Sequence, residues 1–296
     1  KKNETGQNPI TLEQDDDFIM LPTVDFCFKE LMNNKKVRKG IIAALLGVAP
    51  EEIESTTLME TILRKEFEDD KYGILDVRVK LKDGTQIDFE MQVEALTYWD
   101  KRQIYYMSKM ITDQLHAGDD YDKIQKCVHV SILDFNFVEN DNKWYRKVSF
   151  CDTDTGEVYT DLMEIYVLEL KKLPPEDQNE QGLIKWMRFI KAESKEELRK
   201  MAEQDEYIEE AYKELERISL DEQKRLEYET RLKNRRDKHA MIQYAKEQGR
   251  AEGKAEGEAR INKLIVYLLN HGRSDDLARA ASDSEYQTKL LRELGL

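Results

Sequence analysis

Two neighbouring stretches of the sequence carry acidic side chains at a spacing that could bind a metal ion. Residues 73–81 and 86–93 each alternate apolar and polar residues, which predicts two half-buried β-strands. The polar positions include Asp76 on the first stretch, and Glu90 and Gln92 on the second. Opposite residues of paired strands have Cβ atoms about 4.5–5.5 Å apart. Two carboxylates at that separation can hold one hard divalent cation between them, and without a cation they would repel each other.

The four residues between these stretches, Lys-Asp-Gly-Thr, predict a tight hairpin. With Gly84 in the left-handed conformation, a three-residue loop pairs Leu81 with Thr85 and brings Asp76 opposite Glu90. The apolar residues of both strands then share one face, which a shift of one residue would not allow. A shift of two residues also keeps the faces matched, and either register leaves both carboxylates on the polar face.

The polar face of this hairpin could instead be an ordinary solvated surface. Arg78 would lie opposite Asp88, with Lys80 nearby, and mixed charges of this kind are typical of an exposed strand face. The hairpin pattern alone favours the solvated face over a metal site.

Further elements must hold the hairpin in place. In chain order, the patterns predict a helix over 25–46 that ends at Gly47, a possible strand over 54–63, the hairpin, a helix over 100–116, a central strand over 128–137, and strands over 144–150 and 162–170. The apolar stripe of the second helix would consist of Ile104, Met107, Ile111 and Leu115. This order predicts a mixed sheet with helices against it, an α/β or α+β fold.

Composition divides the chain into three zones. Residues 1–17 are polar with an acidic run and are expected to be disordered, residues 18–172 hold the predicted sheet, and residues 173–296 read as helical after Pro174-Pro175. Within the helical zone, residues 224–238 form the one dense basic segment. It could contact phosphates, although interspersed acidic residues slightly favour an ordinary solvated helix.

The glycines of the helical zone allow two interpretations. Gly249, Gly253 and Gly257 recur at intervals of four residues. They indicate either a close helix–helix approach or a flexible linker, because each glycine in a helix costs about 1 kcal/mol relative to alanine.

Charge and cysteine content exclude several classes of protein. The 296 residues carry 47 Lys+Arg and 61 Asp+Glu, a net charge of −14, which excludes a generic basic protein that coats nucleic acid. The three cysteines form no C-x-x-C motif, so a disulfide framework and a zinc knuckle are not expected. The longest apolar runs have six residues, far below the roughly 20 of a membrane span. We expect a soluble cytoplasmic protein, in which the scattered His116, His129, His239 and His271 are structural or surface residues.

Residues 22–135 resemble the PD-(D/E)XK nuclease superfamily, and more closely its branch of recombination-promoting nucleases and putative transposases. The matching stretches are Asp25-Phe-Cys-Phe-Lys29, Leu75-Asp76 with Glu90-Met91-Gln92, Arg102 to Tyr106, and Gly118-Asp-Asp-Tyr121 leading into Val130 to Phe135. No single motif is specific, but their order and spacing over more than a hundred residues are. The glycine repeat and the segment around His271-Gly272 resemble the tail of the same family.

The resemblance implies a restriction-endonuclease-like core with a helical C-terminal extension, and it assigns roles to residues. Asp76 and Glu90 would bind the metal, and Gln92 takes the place of the superfamily lysine. Asp25 matches an acidic position of the family that could orient a water on the metal, but an aspartate there could equally be a helix N-cap. Glu30, one turn later, is a further acidic candidate. Leu75 departs from the family's proline.

The activity implied by the resemblance is Mg²⁺-dependent hydrolysis of DNA by an endonuclease, with Mn²⁺ able to substitute. The family further implies a bacterial role in recombination, mobile elements or defence. Cleavage of both strands favours two sites, and amphipathic stretches such as 208–215 and 264–269 suggest a homodimer through the C-terminal helices. Because Gln92 is neutral, the alternative is a catalytically weak or inactive nuclease fold that acts as an oligomeric interaction module.

Overall fold

The structure is a computed structural model that describes residues 18–63, 73–177 and 180–296. The predicted disordered segment 1–17 therefore lies outside the described residues. The chain divides into two compact units between Thr230 and Arg231. The sequence-based boundary at residue 173 falls within the first unit, which includes the sheet and the helices that directly follow it.

A mixed six-stranded sheet forms the centre of the first unit, as predicted. The strands, in chain order, are β1 Thr56–Met59, β2 Ile62–Leu63, β3 Gly73–Ile74, β4 Val77–Leu81, β5 Gln86–Gln92, β6 Cys127–Leu133, β7 Tyr145–Cys151 and β8 Val158–Glu169. The large sheet has the order β1-β4-β5-β6-β8-β7, and β2 and β3 pair separately. Strand β6 runs parallel to both of its neighbours, β5 and β8, whereas the other pairs of this sheet are antiparallel. Every residue of β6 is buried, which confirms its predicted central position.

Helices flank this sheet and make up the C-terminal part of the chain. They are α1 Asp25–Asn33, α2 Lys35–Leu46, α3 Trp99–Thr112, α4 Leu183–Lys191, α5 Lys195–Ala202, α6 Glu206–Ser219, α7 Glu222–Asn270, α8 Ser274–Ser282 and α9 Ser284–Glu293. Three short 3₁₀ turns cover Pro50–Glu52, Tyr121–Lys123 and Leu170–Lys172. No helix in the described ranges is both long and apolar enough to cross a membrane.

The first predicted helix is divided into two at Asn34. The Asn34 backbone is extended, and its side chain accepts hydrogen bonds from the backbone N–H groups of Lys36 and Val37, which caps α2. Gly47 ends α2 in the left-handed conformation, as predicted.

The hairpin has the predicted loop and register. Gly84 has a φ of +93°, and the Leu81 N–H donates to the Thr85 carbonyl at 2.9 Å. Val79 pairs with Ile87, which excludes the register shifted by two residues. The three-residue turn at Gly84 favours this register, whereas the apolar faces alone would also fit the register shifted by two residues.

The two faces of the hairpin are covered by different helices. Helix α1 packs on the apolar face, where the rings of Phe28 and Phe89 are 6.3 Å apart. Helix α3 covers the opposite, polar face, where Gln103 donates to Ser131 of β6 at 2.7 Å.

The predicted apolar stripe of α3 was correct for Met107, which is buried, and for Ile111, which packs on the core, but it was wrong for Ile104 and Leu115. Ile104 is exposed, Leu115 lies beyond the end of the helix, and the buried residues are Trp99, Gln103, Tyr106, Met107 and Met110. Gln103 lies on the buried face of the helix because its side chain bonds to a buried partner. Apolar periodicity does not reveal a buried polar residue of this kind.

The amphipathic helices after the sheet are covered within the chain itself. Helix α6 buries Ile208, Ala211 and Leu215 completely, and it packs against α1, α2 and α5. Gly40 of α2 permits this packing, since a Cβ there would lie 2.7 Å from the Cβ of Tyr207.

The second unit has a small core of its own. Leu264 and Leu268 of α7 pack with Ala280 of α8 and Leu290 of α9. Leu264 and Leu268, like the stripe over 208–215, are therefore covered within one chain, whereas Leu269 is exposed.

Candidate functional site

Asp76 occupies a bend between β3 and β4, where the sequence predicted an uninterrupted strand. The bend turns its carboxylate toward the end of β5, and Oδ2 accepts a hydrogen bond from the Met91 N–H at 3.4 Å. Oδ1 lies 2.9 Å from the Nζ of Lys29, which projects from α1. Asp76 thus joins α1 to the last residues of β5.

Glu90 is fully buried on β5 beneath α3. Its two carboxylate oxygens lie 3.5 and 3.4 Å from the Nη2 of Arg102. Burial, followed by the charges of Asp88 and Asp76, raises the pKa of Glu90 to about 8, and Arg102 only partly opposes this rise. The influence of Asp76 on this pKa agrees with the predicted juxtaposition of Asp76 and Glu90. Burial thus favours the protonated form of Glu90.

The polar face of the hairpin is not the solvated surface that the pattern alone favoured. Arg78 and Asp88 are both buried, although they pair in register as predicted. The Arg78 guanidinium donates to Gln86, and its Nη1 lies 2.8 Å from Asp113, at the end of α3. The interpretation failed because alternation defines which residues share a face, but it does not show whether a helix covers that face.

A chain of buried polar side chains extends this face into β6. The Asp88 Oδ2 is 2.7 Å from the Nδ1 of His129, and the His129 Nε2 is 3.0 Å from the Oγ of Ser131, which also accepts from Gln103. Although the order resembles that of a Ser-His-Asp triad, the hydroxyl, imidazole and carboxylate are completely buried and cannot meet a substrate. Burial also raises the pKa of Asp88, and the hydrogen bond from His129 opposes this shift.

Sequence reasoning missed this network. A signal was present, because His129 and Ser131 interrupt an otherwise apolar strand, and a buried polar residue requires a partner. The expectation that His129 has a structural role agrees with its position.

Gln92 lies on the same strand as Glu90. Gln92 is the last residue of β5 and is partly buried, two positions beyond Glu90 on the same strand face. Its backbone carbonyl accepts a hydrogen bond from the Asp134 N–H at 2.8 Å.

Asp25 is the first residue of α1, and Val24 occupies the cap position. The N-cap interpretation of Asp25 was therefore wrong. Asp25 lies one turn before Lys29 on the same helix, whereas Glu30 pairs with Lys224 at the start of α7. Helix α1 thus brings charged residues both to Asp76 and to the beginning of the basic segment.

The donor set fits a hard cation such as Mg²⁺ better than a closed structural metal site. Within the described part of the chain, no group of three or more His, Cys, Asp or Glu residues could hold a metal ion. Mg²⁺ keeps several of its waters and needs only one or two carboxylates together with phosphate oxygens. Asp76 and Glu90 could meet that requirement. The three cysteines are free, and Cys27 and Cys127 are buried.

Comparison with known protein families gives a match over most of the chain. A family model described as PD-(D/E)XK nuclease family transposase matches residues 22–245. This range covers both sheets and reaches into α7. Neither the comparison with curated proteins nor the comparison with solved structures gave a match.

Proposed function

The chain belongs to the PD-(D/E)XK nuclease family transposases, and on this basis we propose that it is an Mg²⁺-dependent DNA endonuclease. The observation that carries the proposal is that Asp76, in the bend before β4, and Glu90, on the neighbouring β5, each lie beside a basic side chain. Acidic and basic groups gathered at one strand end suit phosphodiester hydrolysis, in which a metal and cations share the phosphate charge.

Each residue of the site would have a separate role in the reaction. Asp76 and Glu90 would hold Mg²⁺, with Mn²⁺ able to substitute, and a bound ion would supply Lewis-acid polarisation of the phosphodiester. Glu90 would release its proton when it binds the metal. The Gln92 amide can orient a water by donating or accepting a hydrogen bond. Asp25 would act through a water at the edge of this site.

A second candidate function is a non-catalytic interaction module that keeps the nuclease fold. Two observations favour it: a neutral glutamine, Gln92, stands at the position that the resemblance assigns to the superfamily lysine, and Asp76 and Glu90 each already contact a cation.

Cleavage of both DNA strands would be best served by a homodimer, which we also propose. With α6 and the end of α7 packed within the chain, the exposed middle of α7 is the remaining helical surface for such an assembly.

A plasmid-nicking assay with Mg²⁺ or Mn²⁺ tests the endonuclease. We expect nicking by the wild type and a loss of about a thousandfold in rate for Asp76→Ala and Glu90→Ala, because the Lewis-acid contribution is worth several kcal/mol. Glu139→Ala removes an exposed carboxylate on a loop and should leave the rate unchanged. Nicking by Asp76→Ala at the wild-type rate would contradict the proposed site, and a wild type without metal-dependent nicking would favour the interaction module.

A further inference from the structure

Each candidate metal-binding carboxylate has its own cation, and each cation comes from a different helix. Lys29 of α1 lies 2.9 Å from Asp76, and Arg102 of α3 lies 3.4 Å from Glu90. The carboxylates are the more buried partners, with 20 % and 0 % of their side chains exposed, whereas both cations are 36 % exposed. The positive groups are thus the more exposed members of both pairs.

Arg102 is held in place but is incompletely bonded. Its guanidinium lies 4.6 Å from the ring centre of Tyr106 and 5.7 Å from that of Trp99, which fixes its position above Glu90. The two contacts to Glu90, at 3.4 and 3.5 Å, are much longer than the usual 2.7–2.9 Å of such charged pairs. Its Nε is buried and has no hydrogen-bond partner in the part of the chain described here. A buried donor on a cation with only long contacts indicates a place for a further anion.

A divalent cation between the carboxylates would disturb this balance of charge. A metal bound to Asp76 and Glu90 would compete with Lys29 and Arg102 for the carboxylate oxygens. The two positive groups would then have less counter-charge, beside an ion that itself attracts phosphate oxygens. A phosphodiester offers two charged, non-bridging oxygens that the planar guanidinium can bind in a bidentate way, and an ammonium can bind them as a point charge.

We propose that Lys29 and Arg102 exchange their carboxylate partners for the phosphodiester of DNA when a divalent metal binds, so that Lys29 supplies the positive charge that Gln92 lacks. This inference rests on the proposed endonuclease function. Lys29 is suited to the role because it contacts Asp76, one of the two groups that would hold the metal, whereas the Gln92 amide carries no charge.

Three measurements on the full chain test this exchange. The first is Mn²⁺ binding without DNA, in which Lys29→Met and Arg102→Met should bind Mn²⁺ about tenfold more tightly than the wild type, because a competing cation is removed. The second is affinity for a short DNA duplex in Ca²⁺, in which the same variants should lose about tenfold, because each has lost a phosphate contact. The third is cleavage, in which Lys29→Met should be about a hundredfold slower, and Lys29→Met/Gln92→Lys should recover most of the loss.

Matched variants separate this role from a purely structural ion pair. Lys101→Met removes an exposed cation beside Arg102 on α3 and should change none of the three measurements. Lys29→Arg keeps the charge and should keep the Mn²⁺ affinity near that of the wild type. If Lys29 had only a structural role, a lysine at position 92, which lies on a different element, would not restore the cleavage rate lost in Lys29→Met.

The inference and the proposed function fail in different ways. If the wild type cleaves DNA and Lys29→Met cleaves equally fast, or binds Mn²⁺ no more tightly than the wild type, the exchange is refuted and the endonuclease stands. If the wild type does not cleave DNA, the endonuclease is refuted. The Mn²⁺ and duplex affinities then still decide whether the two cations change partners.

Discussion

Glu90 is a buried carboxyl group whose preferred protonation state would change when a metal ion binds. In the metal-free structure, burial and two neighbouring carboxylates favour its protonated form, and Arg102 offers only long contacts. A metal ion would reverse this preference, since it stabilises the ionised carboxylate. The group is thus destabilising at high pH unless a cation occupies the site.

Glu90→Gln should remove this destabilisation at high pH, so its difference in stability from the wild type should depend on pH. The pKa of Glu90 is about 8 in the folded protein and about 4.5 in an unfolded chain, so the folded state binds the proton more tightly. Its stabilising contribution is therefore complete below pH 4.5 and is lost as the pH rises through 8. In EDTA, urea unfolding should show Glu90→Gln more stable than the wild type by about 4–5 kcal/mol at pH 9 and by only about 1 kcal/mol at pH 5. The same difference at both pH values would contradict the assignment, and Glu139→Gln is the exposed control.

The buried network around His129 should be important for stability and not for chemistry. His129→Leu leaves Asp88 buried without its partner, and breaking such a pair costs about 3 kcal/mol. Addition of Asp88→Asn should recover part of this loss, because it removes the unpaired charge. Urea unfolding of the single and double variants measures the effect. If the double variant is less stable than His129→Leu, the loss does not arise from the unpaired carboxylate.

At the scale of elements, the β4–β5 hairpin determines where the carboxylates lie. Its turn sets the register, and the register brings the residues before β4 beside the last residues of β5. Helices α1 and α3 then contribute one cation each from opposite faces of the sheet. The site therefore depends on the hairpin, α1 and α3. A substitution that weakens the hairpin should displace both carboxylates together.

Gly84→Ala should weaken the hairpin by two additive effects. Gly84 has a φ of +93°, which alanine adopts only with strain, and an added Cβ would lie 2.8 Å from the Cγ of Gln125. We expect a loss of about 2 kcal/mol in the free energy of unfolding. Gly118→Ala is the matched control, because Gly118 has a φ of +92° and no atom within 4 Å of the added Cβ. Equal losses for the two variants would show that contact with Gln125 contributes nothing.

At the scale of the whole molecule, α7 is the element that spans both compact units. Its first residues belong to the unit that contains the sheet, and its last residues belong to the small C-terminal core. Gly249, Gly253 and Gly257 lie in its exposed middle and are helical, so the flexible-linker interpretation was wrong. The described residues place no atom within 4 Å of a Cβ at any of them.

Replacing these three glycines by alanine should therefore stabilise the helix in a single chain. Each replacement should favour the helix by up to about 1 kcal/mol, which circular dichroism during thermal unfolding would detect. Sedimentation of the same variant at micromolar concentration tests the proposed homodimer. A lower melting temperature, accompanied by loss of dimer, would instead show that a second chain packs closely on these glycines.

Local sequence determined the elements of this protein and the faces of its strands. The turn at Gly84 favoured the observed register, and alternation placed Arg78 and Asp88 on the same face, because these properties depend on residues close together in the chain. Alternation could not detect the bend at Asp76, since the break in the strand comes from a side chain that bonds to β5.

Only the tertiary structure decided what covers each face. Burial of Asp88 and Glu90, and the contacts of Lys29 and Arg102 with the carboxylates, depend on helices that precede or follow the hairpin in the chain. The apolar stripe that begins at Ile208 likewise packs on α2, so a partner chain is not required to cover it. A periodic pattern shows that a face needs covering, but the element that covers it is chosen by the packing of the whole chain, in which distant residues compete for the same surface.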